Sequence, residues 1–146
     1  MDVDIDIDRF ALILADRLAA IVPTGFSVTA RDGTLWYSAA PGKFPGQQGD
    51  YRVGSSGTYV RDNFGVHGET AEDQLAGLAA QALSELQDFI DEATHDPWPG
   101  SRTPPQARAG LRGQSLHLWY GGLELETDAV LACEPIPLAA LQREIR

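Results

Sequence analysis

The tripeptide Leu-Trp-Tyr occurs twice, at Leu35-Trp36-Tyr37 and at Leu118-Trp119-Tyr120, and each copy ends a stretch that reads as a strand. Side chains alternate faces along a strand. Leu35 and Tyr37 therefore point to one face of a sheet and Trp36 to the other, and the second copy repeats the arrangement. A fold that accepts both strands carries large apolar groups on both faces, and something has to cover each face.

Helical periodicity supplies the covering layer. Ile7, Phe10, Ala11, Leu14, Leu18 and Ile21 recur at helical spacing over 7–22, and Pro23 and Gly25 end the run. Thr70 is placed to cap a second helix, with Glu72 and Asp73 in its first turn. Leu75, Leu78, Ala79, Ala82, Leu83, Leu86, Phe89, Ile90 and Ala93 then form a continuous apolar stripe that Pro97 and Pro99 stop. Strands are expected at 26–30 and 34–39 around an Asp-Gly turn, and a third at 58–64. A second hairpin is expected at 107–111 and 115–120. Leu123 to Glu126 alternates as a strand, Ala129 to Glu134 reads as a further one, and Pro135 and Pro137 end the sheet pattern. Leu138 to Ile145 reads as a short C-terminal helix.

Two segments break the pattern. Residues 41–57 form a Gly/Pro-rich loop, long for a compact domain. Residues 96–105 form a Pro-rich connector, in which Trp98 is expected to staple the chain onto the body. A chain of 146 residues fits one domain and can bury roughly 70% of its unfolded surface. The expectation is a single two-layer α+β domain over 1–146, with a mostly antiparallel sheet and two main helices on one face. Its halves read as loosely repeated helix-plus-hairpin units. Duplication would produce the Leu-Trp-Tyr echo, and so would the ordinary preference of strands for aromatic residues.

The size, acidity and element order resemble the secretion-chaperone-like fold of type III secretion chaperones. His-Asp-Pro-Trp-Pro-Gly, Leu-His-Leu-Trp-Tyr-Gly and Glu-Pro-Ile-Pro-Leu, together with Ala- and Arg-rich usage and one lysine, are similar to small uncharacterised proteins of high-GC actinobacteria. The resemblance implies a dimeric α/β binding protein without catalysis.

Charge narrows the partners. Eleven basic against twenty-one acidic residues give a formal charge of −10, which repels nucleic acid and anionic lipid and favours basic partners. The acidic start, Asp2 to Asp8, is the opposite of a signal peptide, and no apolar run reaches the roughly 18 residues of a membrane span. One cysteine, Cys133, rules out an internal disulfide and a multi-cysteine zinc site. A cytoplasmic location follows as the expectation.

Catalytic and cofactor motifs are poorly supported. Gly49 to Ser56 has phosphate-loop glycine spacing but no lysine. Asp2, Asp4, Asp6 and Asp8 lack the glycine and distal glutamate of a calcium loop. His67, His95 and His117 form no close zinc-type pair, and Cys133 reads as a small buried hydrophobe. No catalytic residue, cofactor or metal is assigned.

The tryptophans pose the sharper question. If the helices cover the face of Leu35, Tyr37, Leu116, Leu118 and Tyr120, then Trp36, His117 and Trp119 share the opposite face and mark a partner or dimer surface. In the other arrangement the tryptophans are core. The leading expectation is a non-catalytic, homodimeric protein-binding module, adaptor or chaperone-like, that captures another protein bearing a basic segment. A small ligand binder or enzyme is the alternative, with a pocket under the 41–57 loop and Asp62 and His67 as acid/base candidates. A toxin-immunity protein is a further alternative.

Overall fold

A computed structural model describes residues 5–39, 55–58, 70–94, 97–99 and 105–142. The order is α1 (Ile7–Ala19), β1 (Phe26–Arg31), β2 (Thr34–Ala39), β3 (Ser55–Thr58), α2 (Ala71–Thr94), β4 (Ala107–Arg112), β5 (Ser115–Gly121), a one-turn α3 (Leu125–Asp128), β6 (Ala129–Ala132), β7 (Ile136–Pro137) and a 3-10 turn at Leu138–Leu141. This is the expected α+β class. The strands fall into two antiparallel sheets rather than one: β1-β2-β3, and β4-β5-β6 with β7 also on β5. Each sheet is built around its own hairpin, and the long α2 separates the two in sequence. Asp32 and Gly33 both take positive φ, 54° and 75°, the requirement of a type I′ turn that matches strand twist. Gly113 supplies the positive φ of 63° in the second turn.

The helix starts follow local capping. The Asp6 carboxylate accepts the Arg9 N–H at 3.1 Å, and the Thr70 hydroxyl accepts the Asp73 N–H at 3.0 Å, each satisfying an orphan donor of a first turn. Along α2 the buried residues run Leu75, Leu78, Ala79, Ala82, Leu83, Leu86, Gln87, Ile90 and Ala93. At about 100° per residue these span about 180° of the helix surface. So broad a stripe can serve two sheets at once, and α2 packs on strands of both.

The two Leu-Trp-Tyr copies meet this helix at its centre. The Tyr37 hydroxyl donates to the Ala82 carbonyl at 3.2 Å, and the Tyr120 hydroxyl to the adjacent Leu83 carbonyl at 2.6 Å. A helical carbonyl has a second lone pair free for such a donor. Leu35, Tyr37, Leu118 and Tyr120 are all fully buried in one core cluster with α1, α2, Ile136 and Leu141. Phe89 of α2 adds ring contacts to Phe26 at 6.0 Å and to Tyr37 at 6.3 Å.

Four local expectations are corrected. The apolar run of α1 continues to Ile21, but the helix ends at Ala19, where Ile21 N–H turns tighter onto the Leu18 carbonyl. The third strand starts at Ser55, inside the segment read as loop; residues 41–54 and 59–64 lie outside the described residues. Leu123 to Glu126 is not a strand: Asp128 N–H bonds back to the Glu124 carbonyl at 2.7 Å and closes the turn of α3. Ile136–Pro137 is a short strand on Ser115–Leu116, tolerated because an edge position leaves a proline no ladder donor to supply.

Trp98 staples the connector as expected. Its backbone N–H donates to Asp91 Oδ1 at 2.6 Å. Gln87 donates to the Trp98 carbonyl at 3.0 Å and to the Pro105 carbonyl at 2.7 Å. Its ring stands edge-on to Tyr120 at 5.1 Å. Burial pushes the Asp91 carboxyl up, the Trp98 N–H opposes this, and Asp88 adds to the rise.

Cys133 is buried, with its thiol pushed up to about 12 by that burial, although the charge of Arg17 works in the other direction. Desolvation disfavours the thiolate. In the unfolded chain the thiol ionises near its ordinary value of 9.0. The unfolded state thus loses its proton first, and stability present below pH 9 falls as pH rises toward 12. Tyr120, also raised by burial, pulls the same way. Urea midpoints should fall between pH 8 and pH 11, with Cys133 contributing about 1 kcal/mol per pH unit above 9. Cys133→Ala should make that decline shallower.

Candidate functional site

Strand alternation puts Trp36, His117 and Trp119 on the faces turned away from the core, as the leading sequence reading required. The split of the sheet separates them. Trp36 belongs to the first sheet, opposite Thr29 on β1 and Gly57 on β3. His117 and Trp119 belong to the second, opposite Gly110 and Arg108 on β4.

On the first sheet the outer face of β1 and β2 carries Ser27, Thr29, Thr34 and Ser38 around Trp36, with Arg31 at its end. Ser27 and Ser38 pair across the strands at 2.6 Å between hydroxyls. Trp36 stands half-buried beside an open groove of about 470 Å³ lined by Thr29, Ala30, Arg31 and Trp36. Nothing in the strand pattern alone announces this groove; it lies between the last residues of β1 and the Trp36 ring.

On the second sheet Trp119 is covered by its own chain. Only 5% of it is exposed. Its indole N–H donates to the Gly122 carbonyl at 2.8 Å, and the Arg112 guanidinium lies over the ring at 5.7 Å. Gly110, between Arg108 and Arg112 on this face, leaves open space where a side chain would stand. Arg112 also pairs with Glu126 of α3, and Arg108 donates to the Gly121 carbonyl at 2.9 Å. Residues 122–128 thus form a cap over Trp119. The cap fits only because glycines occupy positions 121 and 122. A Cβ on Gly121 would lie 2.2 Å from the Asp128 carbonyl oxygen, and one on Gly122 2.8 Å from the Asp128 Cβ. His117 stays half-buried beside the cap.

The cap leaves apolar groups facing solvent. Leu123 within it is 71% exposed, and Val130 on β6 57%. Sequence reasoning passed over both, because their alternating surroundings read as ordinary sheet. The Gly121-Gly122 pair, which interrupts the strand pattern, was the available signal of a turn there.

Asp62 and His67, the alternative acid/base pair, lie outside the described residues, as does His95. Among the described residues no group of three or more His, Cys, Asp and Glu side chains is gathered to hold a metal ion, and no helix is long and apolar enough to cross a membrane. The described residues offer a half-buried indole at Trp36, exposed aliphatic groups at Leu12, Leu123 and Val130, and exposed carboxylates. Compared with known proteins, the chain matches no family model, no curated protein and no solved structure.

Proposed function

We propose that this protein is a non-catalytic, homodimeric protein-binding module of the adaptor or chaperone-like kind. The observation that carries the reading is Trp36, a large aromatic left half-buried on the sheet face away from the helices. Interfaces are enriched in such residues. The Trp36 face is the contact between copies or with the partner, and the net charge of −10 steers a basic partner toward the acidic surface. Trp119, covered by its cap, supports the second sheet instead of taking part in capture.

Single substitutions separate the two tryptophans. Trp36→Ser removes a half-buried ring and should cost about 1–2 kcal/mol while leaving the protein folded, and should abolish the dimer or the co-eluting partner in mass-resolved gel filtration from the native host. Trp119→Ser should cost about 2–4 kcal/mol, because it removes a buried ring and strands the groups around it. A parent protein that elutes as a lone monomer defeats the reading. So does a Trp36→Ser protein that keeps its partner.

A further inference from the structure

We infer that the outer edge of β6 docks an extended polypeptide segment with alternating apolar residues and Lys or Arg at both ends; this rests on the protein-binding reading above and adds, on the other sheet, a second contact to the same partner. The Cys133 N–H donates to the Leu118 carbonyl at 3.0 Å, and Ala132 stands opposite Trp119. In an antiparallel ladder hydrogen-bonded and non-hydrogen-bonded pairs alternate. The backbone groups of Ala132 therefore turn away from β5. The register shifts at Tyr120/Gly121 and leaves Val130 as the extra residue of a bulge, its side chain in solvent. Among the described residues no strand pairs with this side of β6.

Soluble proteins guard such edges with lysine, proline or inward-pointing charge. Residues 129–132 read Ala-Val-Leu-Ala and carry none of these; the bulge at Val130 and the four-residue length of β6 are the guards present, and they confine docking to a short segment. An apolar edge with outward backbone groups suits strand addition, in which main-chain hydrogen bonds bind and alternate side chains select.

Charge decides between occupants. Glu124 and Asp128 precede the strand and Glu134 follows it, all exposed, while Glu126 is engaged by Arg112. A second copy pairing antiparallel at this edge would bring Asp128 of each copy toward Glu134 of the other, and like charges across a strand pair repel. A segment with basic ends meets opposite charge at both.

The test uses a fluorescent eight-residue probe, alternating valine and threonine with two lysines at each end, titrated into the full chain and followed by anisotropy. Saturable binding is expected, weakened several-fold when salt rises from about 50 to about 500 mM. Val130→Lys places a guarding charge on the edge and should weaken binding about ten-fold or more. Leu12→Lys, which alters a 59% exposed leucine on α1, should leave it unchanged. A probe with glutamates at its ends should not bind. No saturable binding, equal binding to the Val130→Lys protein, or equal binding of the glutamate probe overturns the inference. Such failure alongside a co-eluting partner that needs Trp36 removes the β6 edge and leaves the broader reading standing; loss of both removes the reading itself.

Discussion

Tyr120→Ala is expected to destabilise the protein by about 3–5 kcal/mol, the range for truncating a buried aromatic ring. That is a large part of the roughly 5–15 kcal/mol that holds a domain together. Three losses coincide at this position. The ring leaves a cavity in the fully buried layer between β5 and α2. The hydroxyl contact to the Leu83 carbonyl disappears. Trp98 loses the ring it packs against, which loosens the connector. Urea denaturation followed by circular dichroism measures the total. Tyr120→Phe isolates the hydrogen bond and should cost only about 1 kcal/mol, since the Leu83 carbonyl retains its place in the helix. A Tyr120→Ala protein within 1 kcal/mol of the parent would show that the second sheet is not anchored at the centre of α2.

Gly121→Ala should be nearly as damaging, at about 3 kcal/mol or more, for a different reason. Gly121 holds φ at +146°, where a side chain is strained. Its would-be Cβ also meets backbone atoms: the Asp128 oxygen at 2.2 Å, the Ala129 Cα at 2.9 Å and the Val130 N at 3.0 Å. Backbone cannot swing aside as a flexible side-chain tip can, so the cap must detach from β5. The melting temperature should drop by about 10 °C, and tryptophan emission should shift to the red as Trp119 meets water. Gly113→Ala provides the comparison. It too has positive φ, but its Cβ would meet nothing within 4 Å. It should cost about 1 kcal/mol, the conformational part alone. Equal effects from the two substitutions would mean that the cap contributes nothing to stability.

How far the sequence reached can be read from these same residues. Alternation put Leu35 and Tyr37 on one strand face and Trp36 on the other with no ambiguity of period, and packing against the helices made the Leu/Tyr face the core. The stripe of α2 was legible because its apolar residues recur through the whole helix. Both hairpin turns announced themselves through Asp32-Gly33 and Gly113, whose positive φ angles are local requirements. The cap was not legible. Leu123-Glu124-Leu125-Glu126 alternates like a strand, and the bonds from the Thr127 and Asp128 N–H groups to the Glu124 carbonyl turn it into a helical turn. Period-two patterning cannot distinguish a strand from a short segment held by its own end.

The division of the sheet marks the same boundary. Sequence by itself determined the two hairpins, the two long helices and which side chains share a strand face, since these follow from spacing and turn chemistry within a few residues; which of the two faces meets the helices it left open. Tertiary structure decided that the hairpins stay in separate sheets, that Tyr37 and Tyr120 meet neighbouring carbonyls of one helix, and that Trp36 remains half-buried while Trp119 is capped. Those outcomes depend on contacts between residues far apart in the chain, which no local pattern encodes. The two copies of Leu-Trp-Tyr are identical as text, and their tryptophans differ in exposure because only one of them has a Gly-Gly turn at its end to fold the chain back over the ring.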